Sequence, residues 1–118
     1  MTASAKSVLV HGIYLAASGA LLIASPNTLL SLLGLAPTNE VWIRIVGVLT
    51  LILGFYFVQA ARKNVMEFIR WTITARFTFL FFIVVFVLFG LANPIVILFG
   101  LIDLLGALWT LWTLRVTK

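Results

Sequence analysis

The sequence predicts an all-α integral membrane protein, a four-helix bundle with a short interfacial helix between the first and second spans. Three observations carry that expectation. Hydrophobic residues make up 64% of the chain and charged residues 9%, against about 45–50% apolar and about 25% charged in soluble domains. The apolar residues fall into four stretches, each near the roughly 20 residues a helix needs to cross a bilayer. Inside those stretches stand Arg44, Arg76 and Asp103, residue types that are costly at membrane depth unless paired, hydrated or functional. Four spans and their connections use up the 118 residues, so the expected organisation is one transmembrane domain, 1–118, with no room for a soluble catalytic domain.

The first span runs over 5–25, AKSVLVHGIYLAASGALLIAS. Its lone Lys6 and small residues resemble a signal peptide, but Pro26 directly follows the best cleavage position, so the segment is expected to stay as a span. The stretch PNTLLSLLGLAP after it is too short to cross and too apolar to float free, with Leu29, Leu30, Leu32 and Leu33 around one or two helical turns. It is expected to lie along the outer interface, capped by Asn27 or Thr28 and ended by Gly34, as a connector or as a lid over a membrane-facing cavity.

The second span, 41–61, ends at the basic pair Arg62 and Lys63. The third, 65–91, carries Arg70 and Arg76 early and is then almost wholly apolar from Phe77 to Leu91. An Asn93-Pro94 turn separates it from the fourth, 94–114.

Charge sets the orientation. When the chain crosses four times, Lys6, the Arg62, Lys63 and Arg70 cluster, and Arg115 with Lys118 all fall on one side. By the positive-inside rule both termini and the middle loop are cytoplasmic in a bacterial-type inner membrane. Trp42 then lies near the outer boundary and Trp71, Trp109 and Trp112 near the inner one, as an aromatic belt. The net charge of +5 is accounted for by helix ends facing anionic lipid, and no nucleic-acid partner is expected.

Lipid gives helices no hydrophobic reason to associate, so small residues mark close contacts. Gly12, Ala16 and Gly19 form such a ridge on the first span, Gly47, Thr50 and Gly54 on the second, and Gly100, Gly106 and Ala107 flank Asp103 on the fourth. The third span instead presents Phe77, Phe79, Phe81, Phe82, Phe86 and Phe89, a face for lipid or a partner.

With no cysteine and one histidine, a single chain offers no structural zinc site, iron–sulfur cluster, disulfide or thiol nucleophile. No metal, catalytic residue or cofactor is expected. The candidate ligand-binding or ion-pair residues are Arg44, Arg76 and Asp103. From the helical rise they sit roughly 6, 22 and 14 Å below the outer boundary, with Asp103 between the two arginines. Helical side chains lean toward their own N-terminus, which slightly favours Arg44 over Arg76 as the partner of Asp103 and leaves both open, while Glu40 four residues earlier competes for the Arg44 guanidinium. Two arginines and one aspartate leave one uncompensated positive charge, a reason to expect an anionic or strongly polar guest. His11, Tyr14 and Ser18, at helical spacing on the first span, are secondary polar lining.

Four segments, LLSLLGL, RIVGVLTLILGFYFVQAAR, RWTITARF and DLLGALWTLWTLR, together resemble the DoxX-like and BphX-like group of small bacterial four-helix membrane proteins. The resemblance covers nearly the whole chain and implies a compact bundle whose recurrent polar positions match Arg44, Arg70, Arg76 and Asp103. Some members of the group accompany membrane oxidoreductases or lie among aromatic-degradation functions. Sterol isomerases of related fold place acidic residues in a membrane cavity, but this chain lacks their second deep carboxylate.

The expected function is a binding or accessory role. The bundle holds an amphipathic molecule such as a quinone or lipid, or supports a membrane oxidoreductase, with membrane lipids and either another copy or a membrane protein as partners. The alternatives are a purely structural subunit attached through the Phe-rich third span, and a small transporter or membrane enzyme. The last is disfavoured because no nucleophile–base pair appears and four helices rarely enclose an alternating-access path alone.

Overall fold

The computed structural model describes residues 2–116, so Lys118, counted above with the basic end, lies outside the described residues. The fold is all-α: α1 (Ala3–Ala24), the short α2 (Pro26–Leu32), α3 (Val41–Arg62), α4 (Met66–Leu88), a single 3-10 turn (Pro94–Val96) and α5 (Ile97–Val116). Four of these segments, with the 3-10 turn counted with α5, are long and apolar enough to cross a membrane. The chain is a small multi-pass membrane protein, and the short helix lies between the first two spans as expected.

Helix boundaries follow from local caps. α1 starts at Ala3, two residues before the expected boundary, because the Thr2 hydroxyl accepts from the Ala5 N–H at 3.1 Å and the Thr2 carbonyl accepts from the Lys6 N–H at 3.0 Å. The first orphan donors of a helix need such acceptors. α2 departs from expectation at its start. Ser25 takes the N-cap position with Pro26 first in the helix, where its missing N–H costs nothing. Asn27 instead accepts from the Thr38 N–H at 2.8 Å and ties the connector closed, while the Thr28 and Ser25 hydroxyls meet at 2.6 Å.

Three helices end alike. Gly34, Asn64 and Gly90 have φ of 73°, 52° and 71°, and the following residue bonds back into the last turn: Leu35 N–H to Leu30 C=O at 2.8 Å, Val65 to Ala60 at 3.0 Å and Leu91 to Phe86 at 2.8 Å. Such left-handed closures satisfy carbonyls the helix would orphan. Gly34 ends α2 as expected, and Gly90 stops α4 at Leu88, three residues short of the expected Leu91.

The chain divides into two compact units. One runs from Leu9 to Gln59; the other joins the stretch up to Val8 to everything from Ala60 onward. In the Leu9–Gln59 unit α1 and α3 meet backbone to backbone on the expected small-residue ridges. A Cβ on Gly19 would lie 2.5 Å from Leu51 N and 2.6 Å from Gly47 O, and one on Gly54 2.7 Å from Ala16 N and 2.8 Å from Gly12 O. In the other unit α4 and α5 run antiparallel, with Leu80 against Gly100 near one end and Arg76 against Thr110 further along. The Phe-rich helix α4 is the least enclosed of the four spans, with Phe81, Phe82 and Phe86 all exposed, as is Phe89 just beyond its end.

A candidate intramembrane polar site

The buried polar residues of the unit formed by the two chain ends collect along one seam. α1 contributes Ser4 and Ser7, α4 contributes Thr72 and Arg76, and α5 contributes Asp103, Thr110 and Thr113, all buried. Their spacing explains the seam. Thr72 and Arg76 are four residues apart, Asp103 and Thr110 seven, Ser4 and Ser7 three, so each set lies on one helix face. Thr2 anchors the start of α1 to the α3–α4 turn, its N–H and hydroxyl donating to Asn64 Oδ1 at 3.2 and 3.3 Å. Ser7 and Thr110 then join α1 to α5 through hydroxyls 2.7 Å apart.

Arg76 is the centre of the seam. It stands ten residues into α4, about 15 Å along the helix, and is 2% exposed. Its Nε donates to the Thr72 carbonyl at 3.1 Å, and Nη2 donates to the Thr72 and Thr110 hydroxyls at 2.9 Å each. Nη1 is buried with no hydrogen-bond partner. Asp103 is the electrostatic neighbour of Arg76. It lies on the α5 face that carries Gly100, Ala107 and Thr110, all buried with it.

The Thr72 hydroxyl donates to Ile69 C=O at 2.6 Å and the Thr113 hydroxyl to Thr110 C=O at 2.7 Å, while Ser7 and Thr110, which lie 2.6 and 3.1 Å from the Ser4 and Gly106 carbonyls, have one hydrogen each, so one of the pair donates to the other and the other to its own helix carbonyl. Such bonds satisfy hydroxyls inside a helix without needing water.

The sequence-predicted residues divide between the two units. Arg76 and Asp103 come together in one. Arg44 lies in the other and is exposed, with Nη1 donating to the Ile23 carbonyl in the last turn of α1. It therefore caps a helix C-terminus, where a cation meets both an orphan carbonyl and the negative end of the dipole. The Arg44 guanidinium is bound at the end of α1, and among the described residues the buried Arg and Asp side chains are Arg76 and Asp103. His11, also in the Leu9–Gln59 unit, is buried with its ring 5.4 Å from Tyr14 and 5.6 Å from Phe57, while Tyr14 and Ser18 are half-buried.

Sequence reasoning missed Ser4, Ser7, Thr72 and Thr110. Their signal was present in the i, i+4 spacing from Thr72 to Arg76 and the i, i+7 spacing from Asp103 to Thr110. Among the described residues no three of His, Cys, Asp or Glu gather where they could hold a metal ion. At the basic end of the same unit stand Lys6, Arg62, Lys63, Arg70 and Arg115, all exposed. No family model, curated protein or solved structure matches the chain, so the likeness to the DoxX-like group rests on its short motifs alone.

Proposed function

We propose that the protein is a binding or accessory component of a bacterial-type inner membrane, taking the polar head of an amphipathic molecule such as a quinone or lipid at Arg76, or supporting a membrane oxidoreductase through that site. One observation carries this reading: a guanidinium nitrogen buried at membrane depth without an acceptor. A buried unsatisfied donor costs about 1–3 kcal/mol, more for a charged group, and such groups in membrane spans mark functional sites by default. Asp103 and Thr110 complete the polar seam. Both termini are taken to be cytoplasmic, supported by the basic residues at one end of the unit.

Native mass spectrometry of protein gently extracted from its own membranes tests the reading. A small molecule retained by the natural chain and lost in Arg76→Lys is the expected result, because lysine keeps the charge but not the planar fork of donors. Stoichiometric partner chains with no retained small molecule would instead favour a structural subunit, a second reading supported by the exposed Phe81, Phe82 and Phe86 of α4. For orientation, the absence of cysteine allows single cysteines at Lys63 and Asn93 to be labelled from either side of the membrane. Only the Lys63 position is expected to react from the cytoplasm.

A further inference from the structure

We propose that the head group taken at Arg76 is an uncharged carbonyl on an otherwise apolar molecule, and not an anion; this rests on the binding role assigned above. Two features of the seam lead there, its hydrogen-bond capacity and its charge.

A guanidinium has five N–H donors. Three of those on Arg76 are placed on Thr72 and Thr110, which leaves the two on Nη1. The neighbouring hydroxyl hydrogens of Thr72, Thr110 and Ser7 are already taken up by helix carbonyls and by the Ser7–Thr110 pair. What the seam has left to offer is therefore a pair of donors, and the atom that completes it is an acceptor. A hydroxyl or amide head would bring, besides its acceptor, a hydrogen that the seam does not call for. A carbonyl oxygen brings lone pairs and no hydrogen.

Charge separates a neutral carbonyl from a carboxylate or phosphate. Arg76 and Asp103 carry formal charges of opposite sign and are the buried charges among the described residues. Asp103 faces α4 from the same side of α5 as Gly100 and Thr110, whose neighbours on α4 are Leu80 and Arg76. Together they are neutral. An anionic head would leave one uncompensated charge in a medium where a lone ion is heavily penalised, whereas a neutral carbonyl leaves the balance intact.

Carbonyls of this kind come from quinones and from the esters of glycerolipids, and the test separates them. The full-length protein in detergent micelles is titrated with a short-tailed benzoquinone, with trioctanoylglycerol and with dodecyl phosphate, and one-to-one adducts are counted by native mass spectrometry. At least one carbonyl probe is expected to show tenfold or higher apparent affinity than dodecyl phosphate, and the tighter of the two names the source. In Asp103→Asn, which leaves Arg76 uncompensated, the order is expected to reverse in favour of the phosphate. Tighter binding of dodecyl phosphate to the natural chain overturns the neutral-head inference while the binding role stands. An unchanged preference in a folded Asp103→Asn protein overturns the charge argument. If no probe forms a one-to-one adduct, the binding role itself falls.

Discussion

The two units solve the problem of helix association in lipid by different means. Between Leu9 and Gln59, α1 and α3 approach until glycine Cα atoms face opposing backbone, and what holds them is dispersion over a close, apolar contact. In the unit built from the chain ends, α1, α4 and α5 are linked by Ser7, Thr110, Thr72 and Arg76 through hydrogen bonds. Among the described residues the glycine contact leaves no buried side-chain polar atom without a partner. The polar seam leaves one over, and a binding site in a membrane needs such a remainder. The contrast teaches where to look for function in a small bundle: at helix contacts made with groups that have more valences than their neighbours can fill.

The largest effects are expected at the seam. Arg76→Leu strands Asp103 without its neighbouring charge, and breaking a buried pair in this way costs about 3–5 kcal/mol. The double variant Arg76→Leu with Asp103→Leu removes both charges and is expected to recover most of that loss, since apolar replacement of a whole buried pair is often neutral or better. Thermal unfolding of the three proteins in one detergent checks it. A double variant as unstable as the single one would show that the seam holds the fold by something other than charge balance. If it is stable but retains no ligand, folding and binding are separated at one pair of residues.

Next comes the glycine contact. Gly19→Ala drives a methyl to within 2.5 Å of Leu51 N and 2.6 Å of Gly47 O. Neither atom is a flexible side-chain end, so α1 and α3 must move apart, at a cost of about 1–3 kcal/mol. Gly100→Ala is the control, because its closest neighbour is Leu80 Cδ1 at 2.6 Å, the far end of a side chain that can turn away. Unfolding midpoints should fall clearly for Gly19→Ala and little for Gly100→Ala. Equal losses would mean that backbone proximity is not what the α1–α3 contact depends on.

The hydroxyl links are weaker individually. Thr110→Val removes the acceptor of one Arg76 donor and the partner of Ser7 while keeping the side-chain shape. Interhelical hydrogen bonds in membranes average about 0.6 kcal/mol with a maximum of about 1.7. Because two bonds meet at Thr110, a loss near the upper figure is expected in unfolding measurements. Ser7→Ala, which removes one interhelical link, to Thr110, and a contact with the Ser4 carbonyl on its own helix, should fall near the average.

Much of this was legible in the sequence, for reasons that differ by residue. The four spans, α2 and the glycine ridges could be read because length, apolar composition and small-residue spacing act locally along one helix. Asp103 and Arg76 stood out because ionisable residues are rare in such spans. The hydroxyls were not singled out, since serine and threonine satisfy themselves on their own helix and only the tertiary contact from Ser7 to Thr110 reveals a seam. The left-handed residue at Gly90 was in plain view, but the apolar run continues to Leu91, and hydropathy does not register a cap. Helical rise gave Arg44 a depth but no direction around the helix, and so did not disclose that its guanidinium meets the end of α1.

That residue supplies the smallest effect and the sharpest contrast with Arg76. Both are arginines inside apolar helices, yet Arg44 is exposed and bonded to a single carbonyl while Arg76 is enclosed with a donor to spare. Arg44→Gln keeps a donor that can reach toward Ile23 but loses the charge at the C-terminus of α1, where such a charge contributes about 0.3–1 kcal/mol. The unfolding midpoint is therefore expected to drop slightly, and adduct formation with the carbonyl probes should match the natural chain. A loss of binding in Arg44→Gln as great as in Arg76→Lys would place Arg44 in the ligand's environment after all. Unchanged binding assigns the two arginines separate tasks, one ending a helix and the other holding a guest.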